Sequence, residues 1–187
     1  MNTPTTDQDG SSMSATAPTP LSTPDLIAGE KATLHAFLRY LREALIANVS
    51  DLDEEAAQRI LPSSGKSMVG LLKHLTIMEL GWFSHAYAGV DLPSELHRRT
   101  LDAQDGAAAA IAAYRAAAAR SDAVIEAAAS IEQPGVRTLR PGTPPEPTLR
   151  WVMLHLIEDT ARHTGHTDNI RDDILGYSGD WRGTISW

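Results

Sequence analysis

The apolar residues of this chain recur at helical spacing in four long segments. In the first segment they follow one another at intervals of four, three, four and four positions, at Leu34, Leu38, Leu41, Leu45 and Val49. This spacing places them on one face of an amphipathic helix. Thr23 and Pro24 suit a helix start, with the threonine as N-cap and the proline at the first helical position. We therefore expect the first long helix to begin there.

A second long helix is predicted after Ser67, whose side chain can cap it. One side of this helix carries Leu71, His74, Leu75, Met78, Trp82 and His85. Gly89 lies about where a C-terminal cap is expected. Residues 51–61, between the first two long helices, are acidic at the front and suit a short helical turn.

Two further helices are predicted in the second half of the chain. Residues 107–129 contain 14 alanines and must be helical, because alanine is the best helix former. Their expected packing face consists of Ile111, Tyr114, Ala118, Ile125 and Ala129. Five prolines within residues 133–147 predict a long loop. Thr148 can cap the last helix, and Gly176 can end it.

These elements predict one all-α domain. Residues 1–22 are rich in Thr, Ser, Pro and Asp and are expected to form a disordered tail. Residues 23–187 then form the helical domain, with the segment 177–187 packed back on it as a short tail. No strand-like alternation and no internal repeat stand out. Four long helices indicate a four-helix bundle, and the long loop before the last helix permits a crossover connection.

Composition and charge restrict the possible functions. A formal net charge of −8 argues against nucleic-acid binding and against a basic membrane-binding patch. No apolar run approaches the ~20 residues of a membrane span. With no hydrophobic stretch in residues 1–24, a secretory signal is not expected, and we predict a cytoplasmic protein. The chain has no cysteine, so any thiol chemistry must use a thiol from outside.

The segment HLIEDTARHTGH, residues 155–166, carries the candidate chemistry. Its polar residues His155, Asp159, His163 and His166 share one helix face, within a stripe roughly 80° wide. His155 and His166 lie roughly 16 Å apart along the helix and cannot bind one ion. The pairs that remain are His155 with Asp159, Asp159 with His163, and His163 with His166.

A metal site needs a ligand from a second helix, since zinc-type sites use about three protein ligands. His74, on the apolar face of the second long helix, is the candidate. The alternative is a hydrogen-bonded core histidine next to an exposed, charged face of the last helix. Spacing alone does not separate the two. Glu158 and Arg162 are expected to form an i,i+4 salt bridge.

Three blocks of the sequence resemble a known superfamily. They are EKATLHAFLRYLREAL, SGKSMVGLLKHLTIMELGWF and LRWVMLHLIEDTARHTGHTDNIRDDILG. Together they resemble the DinB/YfiT-like metal-binding four-helix bundles, and within these the mini-circle-protein or mycothiol-S-transferase-like branch. The resemblance covers roughly residues 25–177 and implies a DinB-like bundle of up-down-down-up type.

The resemblance also implies a metal site and a reaction class. The superfamily's ligand positions correspond to His74, Asp159 and His163, and many members have His or Glu where this chain has Asp159. His166 occupies the Gln/His place of the family signature and is a candidate for supporting a ligand or contacting substrate, as is Arg162. The implied cofactor is a divalent metal, Zn²⁺ or another ion such as Ni²⁺.

The implied activity is a metal-dependent transferase. Such an enzyme activates a low-molecular-weight thiol of mycothiol type for S-conjugation to a small electrophile or for thiol-dependent isomerisation. The alternatives are a non-catalytic, stress-related or dimerisation bundle with a structural or vestigial metal site, and a metal-dependent hydrolase. Because bundles of this kind often pair through helix faces, a homodimer is expected.

Overall fold

The computed structural model describes residues 23–25, 27–61, 65–102, 104–138 and 146–176. The predicted tail (1–22) and the C-terminal segment (177–187) lie outside the described residues. The helices are α1 (Glu30–Ser50), α2 (Glu54–Gln58), α3 (Met68–Glu79), α4 (Leu96–Asp102), α5 (Ala107–Ala127) and α6 (Leu149–Leu175). Helix α3 continues without a break as a π-helix over Leu80–Tyr87.

Contacts at both ends of α1 fix the directions of the helices. Glu30 pairs with Arg150 at one end, and Asp51 pairs with Arg171 at the other, so α1 and α6 run parallel. At the start of α1, Lys31 donates a hydrogen bond to the Ala128 carbonyl oxygen just beyond α5, 2.6 Å away. Helix α5 is therefore antiparallel to α1.

Helix α3 is antiparallel to α6, because His74 lies beside Asp159 whereas Trp82, later in the same helix, lies beside His155. The four long helices thus run up, down, down and up. This confirms the predicted all-α DinB-like bundle. Helix α1 packs chiefly against α6, and α3 packs chiefly against α5. Among the described helices, none is both long and apolar enough to cross a membrane.

Local capping explains the start of α3 and both ends of α6. The side chains of Ser67 and Thr148 accept hydrogen bonds from the backbone N–H groups of Gly70 and Trp151, as predicted for the starts of α3 and α6. Gly176 ends α6 in the left-handed region, at φ 70°, which favours glycine. The predicted start of α1 was wrong, since α1 begins at Glu30.

The error at α1 has a packing cause. Ile27 is 95% exposed, so this apolar side chain does not hold an extra helical turn against the bundle. Ala129 was also wrongly assigned to a packing face, because it lies beyond α5 and is exposed. Helix α4 and the π-helix were not predicted. Four of the seven residues of α4 are charged or histidine, which leaves little apolar periodicity to detect.

A buried network of charged side chains joins α1, α3 and α5. The guanidinium of Arg42 donates two hydrogen bonds of 2.7 Å to the carboxylate of Glu79, and these side chains are 3% and 0% exposed. Arg42 also donates to Asp122, 2.6 Å away, and His35 Nε2 lies 2.9 Å from the same oxygen of Asp122. The network fixes the position of α3 relative to its two neighbours.

Asp122 makes the stability of this network sensitive to acid. Burial opposes ionisation of Asp122, but hydrogen bonds from His35 and Arg42 outweigh it and lower the pKa of the carboxyl. A carboxyl whose pKa is lowered on folding stabilises the protein above its unfolded pKa of about 3.9, and that contribution is lost as pH falls through the lower folded value. We expect the free energy of unfolding to fall as the pH drops below about 4.

Asp122→Asn should make this acid dependence weaker, because the side chain no longer titrates. Denaturant unfolding at a series of pH values measures the slope. Asp173→Asn is the matched control, since Asp173 is exposed on α6 and is expected to leave the slope unchanged. Equal slopes for the wild type and Asp122→Asn would contradict the assignment.

Candidate metal centre

Helices α3 and α6 bring three potential metal ligands together. The Nε2 atom of His74 lies 3.7 Å from one carboxylate oxygen of Asp159, and the Nε2 atom of His163 lies 3.4 Å from the other. The two imidazole rings meet edge to face, with centroids 4.8 Å apart. The three side chains therefore converge on a common point between the helices.

The surrounding sequence explains this convergence. His74 stands beside Leu71 and Leu75, which are buried in the core and set the rotation of α3. Asp159 and His163 are one helical turn apart, so they project from the same side of α6. Because α3 and α6 are antiparallel, this pair and His74 reach the same level of the bundle.

The site is partly open to solvent and is electrostatically polarised. The side chain of His74 is 36% exposed, whereas those of Asp159 and His163 are 17% and 12% exposed. The neighbouring imidazoles of His163 and then of His74 hold the pKa of Asp159 well below its usual range, although burial acts in the opposite direction. Asp159 is therefore an anion at neutral pH, and the opening lies on the His74 side.

This donor set suits a divalent transition metal. One atom each from His74, Asp159 and His163 lies within 4.8 Å of the others, which is close enough for a small side-chain adjustment to place all three around one ion. Imidazole nitrogen and carboxylate oxygen are common zinc ligands, and three protein ligands leave a position for substrate. Among the described residues, this is the group of histidine and acidic side chains that could hold a metal.

The other candidate residues of the segment 155–166 lie outside this group of three side chains. His166 Nδ1 lies 3.3 Å from His163 Nδ1, so His166 lies behind His163 as seen from Asp159. Burial lowers the pKa of His166, and the neighbouring side chains of His163, Lys66 and Arg162 act in the same direction. Arg162 pairs with Glu158, as predicted, on the exposed face of α6. His155 stacks on aromatic rings, at 5.0 Å from Trp151.

Two buried hydroxyl groups adjoin the site, and their position beside it was not predicted from the sequence. Tyr114 on α5 and Thr160 on α6 are both fully buried, and neither hydroxyl has a hydrogen-bond partner of good geometry among the described residues. Burial and the charge of Glu79 raise the pKa of Tyr114 well above its usual range. Its hydroxyl is therefore neutral at physiological pH. The position of Tyr114 on the packing face of α5 was predictable, but its proximity to Asp159 depends on how the helices pack.

Comparison with known proteins gives one family match. Residues 33–176 match the family model described as Mycothiol-S-transferase. The matched region includes His74, Asp159 and His163. A search of the curated proteins gives no match to this chain.

Proposed function

The chain belongs to the mycothiol-S-transferase family, and on this premise we propose that it is a metal-dependent thiol S-transferase. In this proposal His74, Asp159 and His163 hold one divalent ion, Zn²⁺ or a similar metal. The nucleophile is a low-molecular-weight thiol of mycothiol type, and its partner is a small electrophile. The observation that carries the proposal is the approach of these three donor atoms to within 4.8 Å inside the family-matched region.

Each of the three side chains has a distinct part in the proposed site. Asp159, with its lowered pKa, supplies a negative charge at neutral pH, which offsets the charge of a cation. His163 is the least exposed of the three and holds its ring between Asp159 and His166. His74 is the most exposed and borders the opening through which a substrate would enter.

The bound ion would favour the thiolate form of an incoming thiol at neutral pH, which supplies the nucleophile. The chain has no cysteine, so no thiol of its own competes for this position. The sulfur then forms a bond to the electrophilic carbon. A leaving group departs with its electron pair, or the electrons of a double bond take up a proton from solvent. The thiol proton is released to solvent.

The test is to purify the protein without a histidine tag, measure bound metal by elemental analysis, and follow mycothiol consumption with an electrophile. We expect close to one divalent ion per chain and thiol loss that depends on the protein. Bound metal without thiol transfer would overturn the transferase and favour a structural metal site or a hydrolase. Absence of metal would overturn the metal-dependent mechanism itself.

A further inference from the structure

Three aromatic rings form a cluster beside the candidate metal centre. Trp82 comes from the π-helix, and Trp151 and His155 come from α6. The ring centroids of the two tryptophans are 5.0 Å apart, and His155 lies 4.8 Å from Trp82 and 5.0 Å from Trp151. His155 is nearly parallel to Trp151, at 25°, and meets Trp82 edge to face, at 74°. These are the offset and edge-on arrangements that aromatic rings prefer.

The cluster and the candidate metal ligands occupy the same side of the same two helices. His155 precedes Asp159 by one turn of α6, which is about 6 Å along the helix axis. Trp82 follows His74 by two turns, on the continuation of α3. Since α3 and α6 are antiparallel, both pairs meet at matching levels. A molecule resting on the rings therefore has its far end near the point where His74, Asp159 and His163 converge.

The two tryptophans differ in exposure: one is held in the core, and the other leaves part of its ring accessible to a ligand. Trp82 is 6% exposed and belongs to the hydrophobic core, so packing against the core residues fixes its position. Trp151 is 42% exposed, although its neighbour Val152 is fully buried. The core of α6 is thus filled by other residues, and a large part of the Trp151 indole remains accessible. Aromatic surface of this kind, next to a few polar groups, is typical of small-molecule sites.

The π-helix is a second sign of a specialised site. It extends over eight residues directly after the helix that carries His74, and π-helical turns are rare and are found frequently at functional sites. Its C-terminal end is held in place by Val136 and Arg137, whose backbone N–H groups donate to the Ala86 carbonyl oxygen. The wider π-helical turn and this anchor together set the direction in which Trp82 projects.

We propose that Trp82, Trp151 and His155 form the subsite for the electrophile, and that this subsite selects flat, conjugated electrophiles over small polar ones. The inference rests on the proposed thiol transfer and specifies its substrate class. A conjugated ring system gains stacking and apolar burial on the cluster, whereas a small polar electrophile gains neither. The selection therefore acts on the KM for the electrophile.

The experiment compares chlorodinitrobenzene, which is flat and aromatic, with iodoacetamide, which is small and polar, at saturating mycothiol. With chlorodinitrobenzene, the carbon–sulfur bond forms, the carbon–chlorine bond breaks, and chloride leaves with its electron pair. Trp151→Ala should raise the KM for chlorodinitrobenzene about tenfold, which corresponds to about 1.4 kcal/mol. The KM for iodoacetamide should change less than about twofold, because this electrophile does not use the rings.

Leu175→Ala is the matched control. Leu175 is a similarly exposed apolar residue of α6, at 43%, and it lies roughly 36 Å from Trp151 along the helix axis. We expect this variant to keep the wild-type KM for both electrophiles. An equal rise in KM for both electrophiles in Trp151→Ala, or no rise for chlorodinitrobenzene, would overturn the subsite.

A binding measurement separates this inference from the proposed function. Meta-dinitrobenzene has no halide to lose and its nitro groups do not activate each other for displacement, so calorimetry in the absence of thiol can follow its binding to the purified protein without any reaction. Binding that is lost in Trp151→Ala but kept in Leu175→Ala supports the subsite even if the wild type transfers no thiol. Thiol transfer to both electrophiles without binding of dinitrobenzene would overturn the subsite and leave the proposed function standing.

Discussion

His163→Ala is expected to remove the divalent metal from the protein and to reduce thiol transfer to background. In the proposed site His163 supplies one of three donor atoms and is the least exposed of the three side chains, so water or a neighbouring side chain does not readily replace it. A metal ion contributes several kcal/mol to the stabilisation of developing charge, and each 1.4 kcal/mol is tenfold in rate. We therefore expect kcat/KM to fall by at least about a thousandfold. Elemental analysis and thiol consumption measure the two effects.

His97→Ala is the matched control for this variant. His97 is an exposed histidine of α4 and does not belong to the group of converging side chains, so the substitution removes the same chemical group outside the candidate site. It should keep both metal and activity. Circular dichroism would establish that both variants are folded. A full equivalent of metal in folded His163→Ala would exclude His163 as a ligand.

The choice of candidate metal ligands shows what residue spacing in the sequence can and cannot determine. Helical spacing identified His155, Asp159, His163 and His166 as one stripe and excluded a site that joins its two ends. It left three possible pairs, because the choice depends on which level of α6 faces His74. That level is fixed by the antiparallel packing of α3 and α6, which is a property of the assembled bundle. The family resemblance supplied the choice of Asp159 and His163, and these two side chains lie close to His74 in the structure.

In the fold as well, features set by neighbouring residues were predicted, whereas features set by tertiary packing were not. The limits of α6 follow from Thr148 and Gly176, which act within the adjoining helical turn, and these limits were predicted. The start of α1 was wrong because Thr23 and Pro24 are a valid local start signal without tertiary support. The ring cluster was missed for a related reason. Trp82 and Trp151 are 69 positions apart, and the π-helix that aims Trp82 has no simple sequence pattern.

Glu79→Ala is expected to destabilise the fold by about 3 kcal/mol or more. Glu79 is fully buried and accepts both hydrogen bonds of the Arg42 fork. Its removal leaves a buried guanidinium with Asp122 as its remaining carboxylate partner. Breaking a buried ion pair from one side is costly because the other charge stays out of water without full compensation. The loss should appear as a lower denaturant midpoint with an unchanged slope.

The chain offers an internal control with the same chemistry at the surface. Glu43 on α1 pairs with both terminal nitrogens of Arg115 on α5, and these side chains are 46% and 52% exposed. Because water solvates both partners when they are separated, Glu43→Ala should cost less than about 1 kcal/mol. If Glu43→Ala and Glu79→Ala lower the free energy of unfolding equally, burial of the Arg42–Glu79 pair is not the cause of the destabilisation.

The double variant Arg42→Met, Glu79→Met completes the test. Replacing both charges by apolar side chains removes the buried guanidinium, and Asp122 keeps its contact with His35, so the double variant should be more stable than Glu79→Ala. It also separates stability from catalysis. If the buried pair acts only by fixing α3 in the bundle, the folded double variant should still bind metal through His74, Asp159 and His163. Loss of metal from a folded double variant would instead mean that this charge network tunes the candidate site directly.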